Sequence, residues 1–395
     1  MTEVYLDHAA TTVIRPSVID AMVQAMREVG NPSSLHSAGR RARKAVEQAR
    51  EQVAAATGAH PVEVIFTSGA TEADNLALKG GYRARRTADP RLTGLAVSPT
   101  EHPAVHDAAR FLASTEQAQL HWIDVDESGA ARPEALNRLI ETGTIAIAAT
   151  MWTNNEVGSV SDVHTLARTC HAHQVPLHVD AVQALGRVKI DFASLDGTSL
   201  ALSAHKIGGP QGVGALLASR SFTPVPTSHG GGQERRIRSG TLDVAGIVGF
   251  GVAITEAEQE RDAEASRLGL LRDRLTAGIG RIRDIEVNGL DRYDATRTHP
   301  GILSLHVRGA DADALLMLLD AAQIDVSTGS ACTSGVSEPS HVILAMTGDE
   351  RRAKQTIRIS LGRTTSADDI DRVLDALPAA VERARRASGY RPDRE

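Results

Sequence analysis

Apolar positions fall into two patterns along the chain. Short continuous runs occur at Val62–Thr67, Gly94–Pro99, Thr144–Met151, Pro176–Val179, Leu200–Ala204 and Val213–Ala218. Each is too short for a buried helix and is rich in Val, Ile, Leu and Ala, so it predicts a strand covered on both faces. Spaced apolar positions with polar residues between them predict helices from Thr71 to about Arg86, at Pro103–Ala113 and at Val163–His173. A Ser68-Gly69 turn separates the first strand from the first helix. This alternation predicts an α/β domain with a mostly parallel sheet covered by helices.

After about Ala253 the pattern changes. A long charged amphipathic helix is predicted from Glu256 to about Ile282, then strands at Gly301–Val307 and Thr356–Leu361 separated by a helix at Asp311–Gln323. A last helix covers Ala367–Ser388, and the polar tail 389–395 is expected to be loose. The expected division is a large domain over 14–253 and a smaller α+β domain built from 1–13 and 254–395. No internal repeat or low-complexity block interrupts it.

Composition narrows the class. A hydrophobic content of 42% over 395 residues is enough for a sizeable core, and with aromatics at 3% that core must be aliphatic. A net charge of −6 argues against direct nucleic-acid binding by the chain as a whole. No apolar run is long enough to span a bilayer and Met1–Asp7 does not read as a secretory signal, so no membrane association is expected. The two cysteines, Cys170 and Cys332, make neither a disulfide scaffold nor a closed zinc site, which suits a reducing cytoplasm. No metal site is expected in the isolated protein.

Candidate chemistry sits where the predicted strands end. Ser203-Ala204-His205-Lys206-Ile207-Gly208-Gly209-Pro210 places a lysine in a tight turn after an apolar strand, where a lowered pKa would let the amine form a Schiff base. Alone, the motif fits a surface lysine equally well. In His178-Val179-Asp180-Ala181-Val182-Gln183, Asp180 can pair with a protonated ring nitrogen and Gln183 can reach a ring hydroxyl, although a helix N-cap is the commoner use of such an aspartate. Ser68-Gly69-Ala70-Thr71-Glu72 joins strand to helix and can seat a phosphate, a weak signal by itself. Glu101-His102 and Asn154-Asn155-Glu156 add a histidine able to stack on a flat ring and move protons, and polar groups beside it. Ligands of open α/β sheets gather beyond the carboxyl ends of strands, and all of these residues fall at such ends in order. Cys332 lies in the small-residue run Ser327–Gly335, which suits a mobile thiol, whereas Cys170 on an amphipathic helix reads as core.

Together with Tyr5-Leu6-Asp7-His8-Ala9-Ala10-Thr11-Thr12, Gly30-Asn31-Pro32-Ser33-Ser34, Arg238-Ser239-Gly240-Thr241, Ser330-Ala331-Cys332-Thr333-Ser334 and Arg358 to Gly362, these motifs resemble the IscS/NifS-like cysteine desulfurases, of the class V aminotransferases, over nearly the whole chain. The resemblance implies the pyridoxal-phosphate-dependent fold type I, with a seven-stranded sheet in the large domain and a mobile loop at about 327–340 in the small one. It implies pyridoxal 5'-phosphate as cofactor, joined to Lys206 and stacked under His102, with Asp180 on the ring nitrogen and Gln183 on the ring oxygen. Ala70, Thr71, Ser203 and His205 would hold the phosphate, and Thr241 would reach the phosphate of the other subunit in a homodimer. Asn155 would touch both cofactor and substrate, and Arg358 would hold the substrate carboxylate.

Lys206, Cys332 and His102 would then be catalytic. Sulfur from L-cysteine passes to Cys332 as a persulfide, alanine leaves, and an acceptor protein takes the sulfur. That acceptor would be an iron–sulfur scaffold, whose cluster Cys332 can touch transiently, or a tRNA thiolase. Alternatives on the same fold are a selenocysteine lyase and a desulfurase serving DNA phosphorothioation. A non-catalytic scaffold is opposed by the intact Lys206, Asp180, His102, Arg358 and Cys332. The tail after Ser388 lacks the longer His-containing end of some members, so docking of a scaffold through it is not expected.

Overall fold

The computed structural model describes residues 3–329 and 338–390. Strand β1 (Val4–Tyr5) precedes helices α1 (Pro16–Met26) and α2 (Ser37–Thr57). The alternating part then runs β2 (Val64–Thr67), α3 (Ala70–Ala88), β3 (Gly94–Val97), α4 (Pro103–Glu116), β4 (Gln119–Trp122), α5 (Pro133–Ile140), β5 (Ile145–Met151), α6 (Val163–Ala172), β6 (Leu177–Asp180), β7 (Thr198–Ser203) and β8 (Gly214–Ala218). Strands β2 to β8 form one seven-stranded sheet in the order β2-β8-β7-β6-β5-β3-β4. All pairings are parallel except those of β8, which runs antiparallel to β7 and β2. The cause is local: β7 and β8 are joined by a short turn rather than a crossover helix, so the chain must reverse. Because β2 is antiparallel to β8, it points the same way as β7, and the carboxyl ends of β2, β3, β5, β6 and β7 share one edge.

The apolar runs locate these strands within a few residues. Strand β4 was not visible in them because Gln119–Trp122 is a polar strand at the sheet margin, exposed or half-buried throughout. Helices α1 and α2 were also absent from the periodicity reading; the buried stripe of α2 relies on Val46, Ala49, Val53 and Ala54 and includes a buried Arg50.

The remainder runs α7 (Val244–Ile279), β9 (Ile285–Asn288), β10 (Ile302–Val307), α8 (Ala312–Asp320), β11 (Ile324–Asp325), α9 (His341–Thr347), α10 (Glu350–Lys354), β12 (Thr356–Ser360) and α11 (Ala367–Ala387). Strands β12-β10-β9 form an antiparallel sheet, and β1 pairs in parallel with β11. Helix α7 starts well before the expected Glu256. Its first turns hold Gly246, Gly249 and Gly251, residues that disfavour an isolated helix. Tertiary contact overrides that: a Cβ on Gly251 would lie 3.0 Å from the Ala49 backbone of α2, and one on Gly249 would lie 2.8 Å from Met22 of α1. Asp243 caps the helix by accepting from the Gly246 N–H at 3.0 Å.

Two apolar cores flank α7. Ile247, Phe250, Ile254 and Ala257 join the core on one face of the large sheet. Leu268, Leu275 and Ile279 join a second core with Val4, Leu6, Leu305, Ile357 and Val373. Among the described residues, no helix is long and apolar enough to cross a membrane, and no cluster of His, Cys, Asp and Glu could hold a metal ion.

Candidate active site

Strands β5, β6 and β7 deliver their last residues, Met151, Asp180 and Ser203, and β2 and β3 the segments that follow them, to one cleft of about 790 Å³, whose walls include Thr71, His102, Asn155, Asp180, Lys206 and Arg358. Helix α3 begins directly after β2. Its N-cap, Gly69, holds φ at 149°, a conformation that strains any side-chain-bearing residue, and no side chain caps the helix. Glu72 is drawn aside: it accepts from the Ser68 N–H at 2.6 Å and from Arg238 Nε at 2.9 Å. The first amides of α3, at Ala70 and Thr71, therefore face an anion site with the helix dipole behind them.

Lys206 sits in the single turn Ala204–Ile207 that follows β7, closed by Gly208 at φ 83°. Its ammonium donates to the carbonyls of Ala9 and Ala10, both at 2.6 Å. Burial, helped by the Arg358 charge, brings its pKa down to about 8, against partial support from Asp180 and Asp7. Ser203, the last residue of β7, is buried in the cleft wall. His205 pairs with the Thr11 hydroxyl at 3.2 Å, and burial and Lys206 lower its pKa to about 4.

Asp180 closes β6. Its Oδ1 accepts from the Val182 N–H at 2.9 Å, while burial and the Asp74 carboxyl push its pKa up to about 6. His102 caps α4, its Nδ1 accepting from the Ala104 N–H at 3.1 Å, which leaves the proton of the neutral ring on Nε2. Burial holds its pKa below the usual histidine value. Gln183 donates to the Ala9 carbonyl at 2.9 Å.

Arg358, on β12, is 4% exposed. It donates to the Asn155 carbonyl at 2.8 Å and to Asp7 Oδ1 at 2.7 Å. Arg358 Nε and Asn155 Oδ1 are buried with no hydrogen-bond partner among the described residues. Buried orphan polar groups are costly and point to a ligand that completes them.

The structure thus brings Ala70, Thr71, His102, Asn155, Asp180, Gln183, Ser203, His205, Lys206 and Arg358 to one cleft. Thr241 is exposed and does not line the cleft of its own chain. Cys332 lies outside the described residues; the flanking Gly329 lines the cleft. Cys170 is buried in the core, where burial raises its thiol pKa to about 12.

Sequence reasoning did not assign roles to Asp7, Ala9 and Ala10, which hold Arg358, Lys206 and Gln183, or to Asp74, fully buried behind Asp180. Asp74 follows Thr71 by one helical turn, so a helix starting at the Gly69 turn would have aimed it at the sheet.

Comparison with known proteins agrees with this geometry. Residues 4–373 match the family model of class-V aminotransferases. An IscS-like cysteine desulfurase of Mycobacterium tuberculosis is 46% identical over 386 residues, covering 97% of this chain and 98% of that protein. A solved structure described as a NifS-like protein superposes with a TM-score of 0.87 at 32% identity, covering 96% of this chain and 100% of the other. The crystal structure of DndA from Streptomyces lividans gives a TM-score of 0.74 at 36% identity, over 89% of this chain and 97% of that one. These families use pyridoxal phosphate. The chain belongs to the class-V aminotransferases and, within them, to the IscS-like cysteine desulfurases.

Proposed function

We propose that the chain removes sulfur from L-cysteine, leaves it as a persulfide on Cys332 and releases L-alanine. The observation that carries this reading is the convergence of a depressed lysine, a buried aspartate, an uncapped helix N-terminus and orphaned Arg358 and Asn155 atoms on one cleft. Those features fit pyridoxal phosphate: the α3 amides with Thr71, Ser203 and His205 would hold the phosphate, Asp180 the ring nitrogen, Gln183 the ring oxygen, His102 the ring face and Lys206 the aldehyde carbon. When bound, the cofactor supplies an electrophilic carbon and a ring that withdraws electrons from the substrate.

The chain's own residues do the rest. Lys206, with its pKa near 8, reaches its neutral form far more readily than an exposed lysine, and that form could hold the cofactor and would take the substrate's α-proton. Arg358 Nε would donate to the carboxylate of cysteine and Asn155 would donate to it from Nδ2, its orphaned Oδ1 being left for a donor on the ligand; Asp7, by holding Nη2, fixes the plane of the guanidinium. The Cys332 thiolate attacks the substrate sulfur and the Cβ–S bond breaks. Its electron pair stays with the carbon skeleton, which takes up a proton and leaves as alanine. His102, neutral with a proton on Nε2, carries protons between thiols and solvent.

The test is alanine formation from L-cysteine by the pyridoxal-phosphate-loaded protein, with Arg358→Ala beside it. Breaking a buried charged contact costs on the order of 2–5 kcal/mol, so KM should rise at least about thirtyfold. An unchanged KM would move the carboxylate site elsewhere; Arg238 is a poor substitute, since Glu72 already holds it.

The proposal includes a homodimer in which Thr241 completes the neighbour's phosphate site. Ile19, Val23 and Met26 form an exposed apolar face on α1, with Val29 and Leu35 exposed beyond it, and a second copy would cover them. Cofactor occupancy should then fall together with dimer content when the protein is diluted in a sedimentation experiment, because a ligand held across an interface stabilises the assembly. A fully loaded, active monomer would remove Thr241 from the site. The division into 14–253 and 1–13 with 254–395 is supported by the distinct cores on the two ends of α7, and the cytoplasm by a sequence with only two cysteines, too few for a disulfide scaffold. The sulfur acceptor would be an iron–sulfur scaffold or a tRNA thiolase; the likeness to DndA supports service to DNA phosphorothioation as a second reading.

A further inference from the structure

Three carboxyl groups lie buried at or behind the cleft: Asp74 from α3 and Asp180 from β6 line it, and Glu101 from the turn before α4 lies behind its wall, exposed by 1%, 5% and 0% respectively. The other ionisable groups facing them are His102 beside Glu101, His178 two residues before Asp180 on β6, and Lys206 from the turn after β7. Like charges this close cannot all ionise in a buried site. Their hydrogen bonds differ. Asp180 accepts from a backbone N–H at 2.9 Å and Glu101 from the Met151 N–H at 2.6 Å. Asp74 meets only His178: its Oδ1 is 3.0 Å from His178 Nε2, and its Oδ2 has no partner among the described residues. On its other side, His178 Nδ1 is 3.0 Å from the Ser199 hydroxyl.

Two proton arrangements of this chain leave His178 uncharged; a third, an imidazolium donating from both nitrogens, leaves the same bare anionic Asp74 oxygen as the first of them. In one, Asp74 is an anion, His178 donates from Nε2, and Ser199 donates to Nδ1. In the other, Asp74 keeps its proton and donates to Nε2, and His178 donates from Nδ1 to Ser199. The first leaves a buried anionic oxygen bare beside two further carboxyls. The second leaves bare only the carbonyl oxygen of a neutral acid, a far smaller cost.

We propose that Asp74 is a positioning residue for Asp180: it remains protonated, donates to His178 Nε2 and fixes the His178 proton on Nδ1, so that Asp180 has no competing charge from Asp74 beside it. A pyridinium nitrogen then meets the Asp180 carboxylate without a second anion from Asp74. Burial acts in the same sense, raising Asp74 well above the usual carboxylate range and lowering His178 to about 4, so the pair is neutral rather than ionic.

The inference rests on Asp180 as the ring-nitrogen partner, and the experiments separate the two. In the cofactor-loaded protein labelled with 15N-histidine, the His178 signals, assigned by their loss in His178→Gln, should show the proton on Nδ1; a proton on Nε2 overturns the inference. Asp74→Asn keeps a neutral donor toward Nε2 and should leave the pH midpoint of the cofactor's visible absorbance where it was. A shift by a full unit would mean that a negative charge had been removed, and would also overturn it. Asp74→Ala strands His178 Nε2 and should weaken pyridoxal phosphate binding about tenfold; unchanged binding counts against the inference. If Asp180→Ala leaves both spectrum and affinity untouched, the reading of Asp180 fails and this one with it.

Discussion

Lys206→Ala is expected to abolish alanine formation. Both tasks proposed for the lysine, holding the cofactor and removing the α-proton, would need the same neutral amine. The cleft makes that amine available by burial and by the Arg358 charge, which bring the pKa from the ordinary lysine value to about 8. Positioned general bases contribute roughly 10²–10⁴-fold, and loss of the covalent link adds to that. The variant should still take up cofactor through Asp180 and the α3 amides, so absorbance after gel filtration separates lost chemistry from lost binding. The sign of the pH effect follows from the depressed pKa: the reactive form increases as pH rises through about 8, so cofactor capture by apoprotein should accelerate between pH 7 and 9. Near-native turnover by Lys206→Ala would refute the assignment.

Cys332→Ser should stop persulfide formation just as completely while leaving cofactor and cysteine binding in place. A serine hydroxyl is a poor nucleophile toward sulfur, whereas a thiolate attacks it readily. The variant should change the cofactor spectrum on adding cysteine and then stall, with no protein-bound sulfane sulfur detectable by mass. Sulfide release at the native rate would show that Cys332 is not the acceptor. Cys170→Ala is the matching control: Cys170 is 1% exposed in the main core, too deep to meet substrate.

The strand runs were legible because a strand buried on both faces is apolar without interruption, as at Ile145–Met151. Strand-end chemistry was legible because a mostly parallel sheet sends those ends to one edge, which is where Thr71, His102, Asp180 and Lys206 meet. The hidden features depend on distant contacts. The glycines that opened α7 read as breakers until α1 and α2 were seen to need the space. Asp7 reads as an ordinary acid near the start of the chain, and nothing local says that Arg358 will seize it 351 residues later. Asp74 looked like a polar residue on an amphipathic helix, because periodicity shows which face a residue takes but not that His178 waits beneath it.

The pairing of β1 with β11 imposes an order on synthesis. Val4 finds its ladder partner only at Ile324, and Asp7 bridges to Ser360. Elongation at about 5–20 residues per second puts tens of seconds between the emergence of the first segment and that of its partners. During that interval the large sheet can assemble on the ribosome, and Gln183 and His205 can already hold Ala9 and Thr11, but Arg358 is not yet there to meet Asp7. Until then Lys206 lacks the Arg358 charge that helps lower its pKa, and β1 lacks its ladder partner. The lysine therefore gains its full chemistry only once β11 and β12 have emerged, and chaperones meet the chain before the cleft is finished.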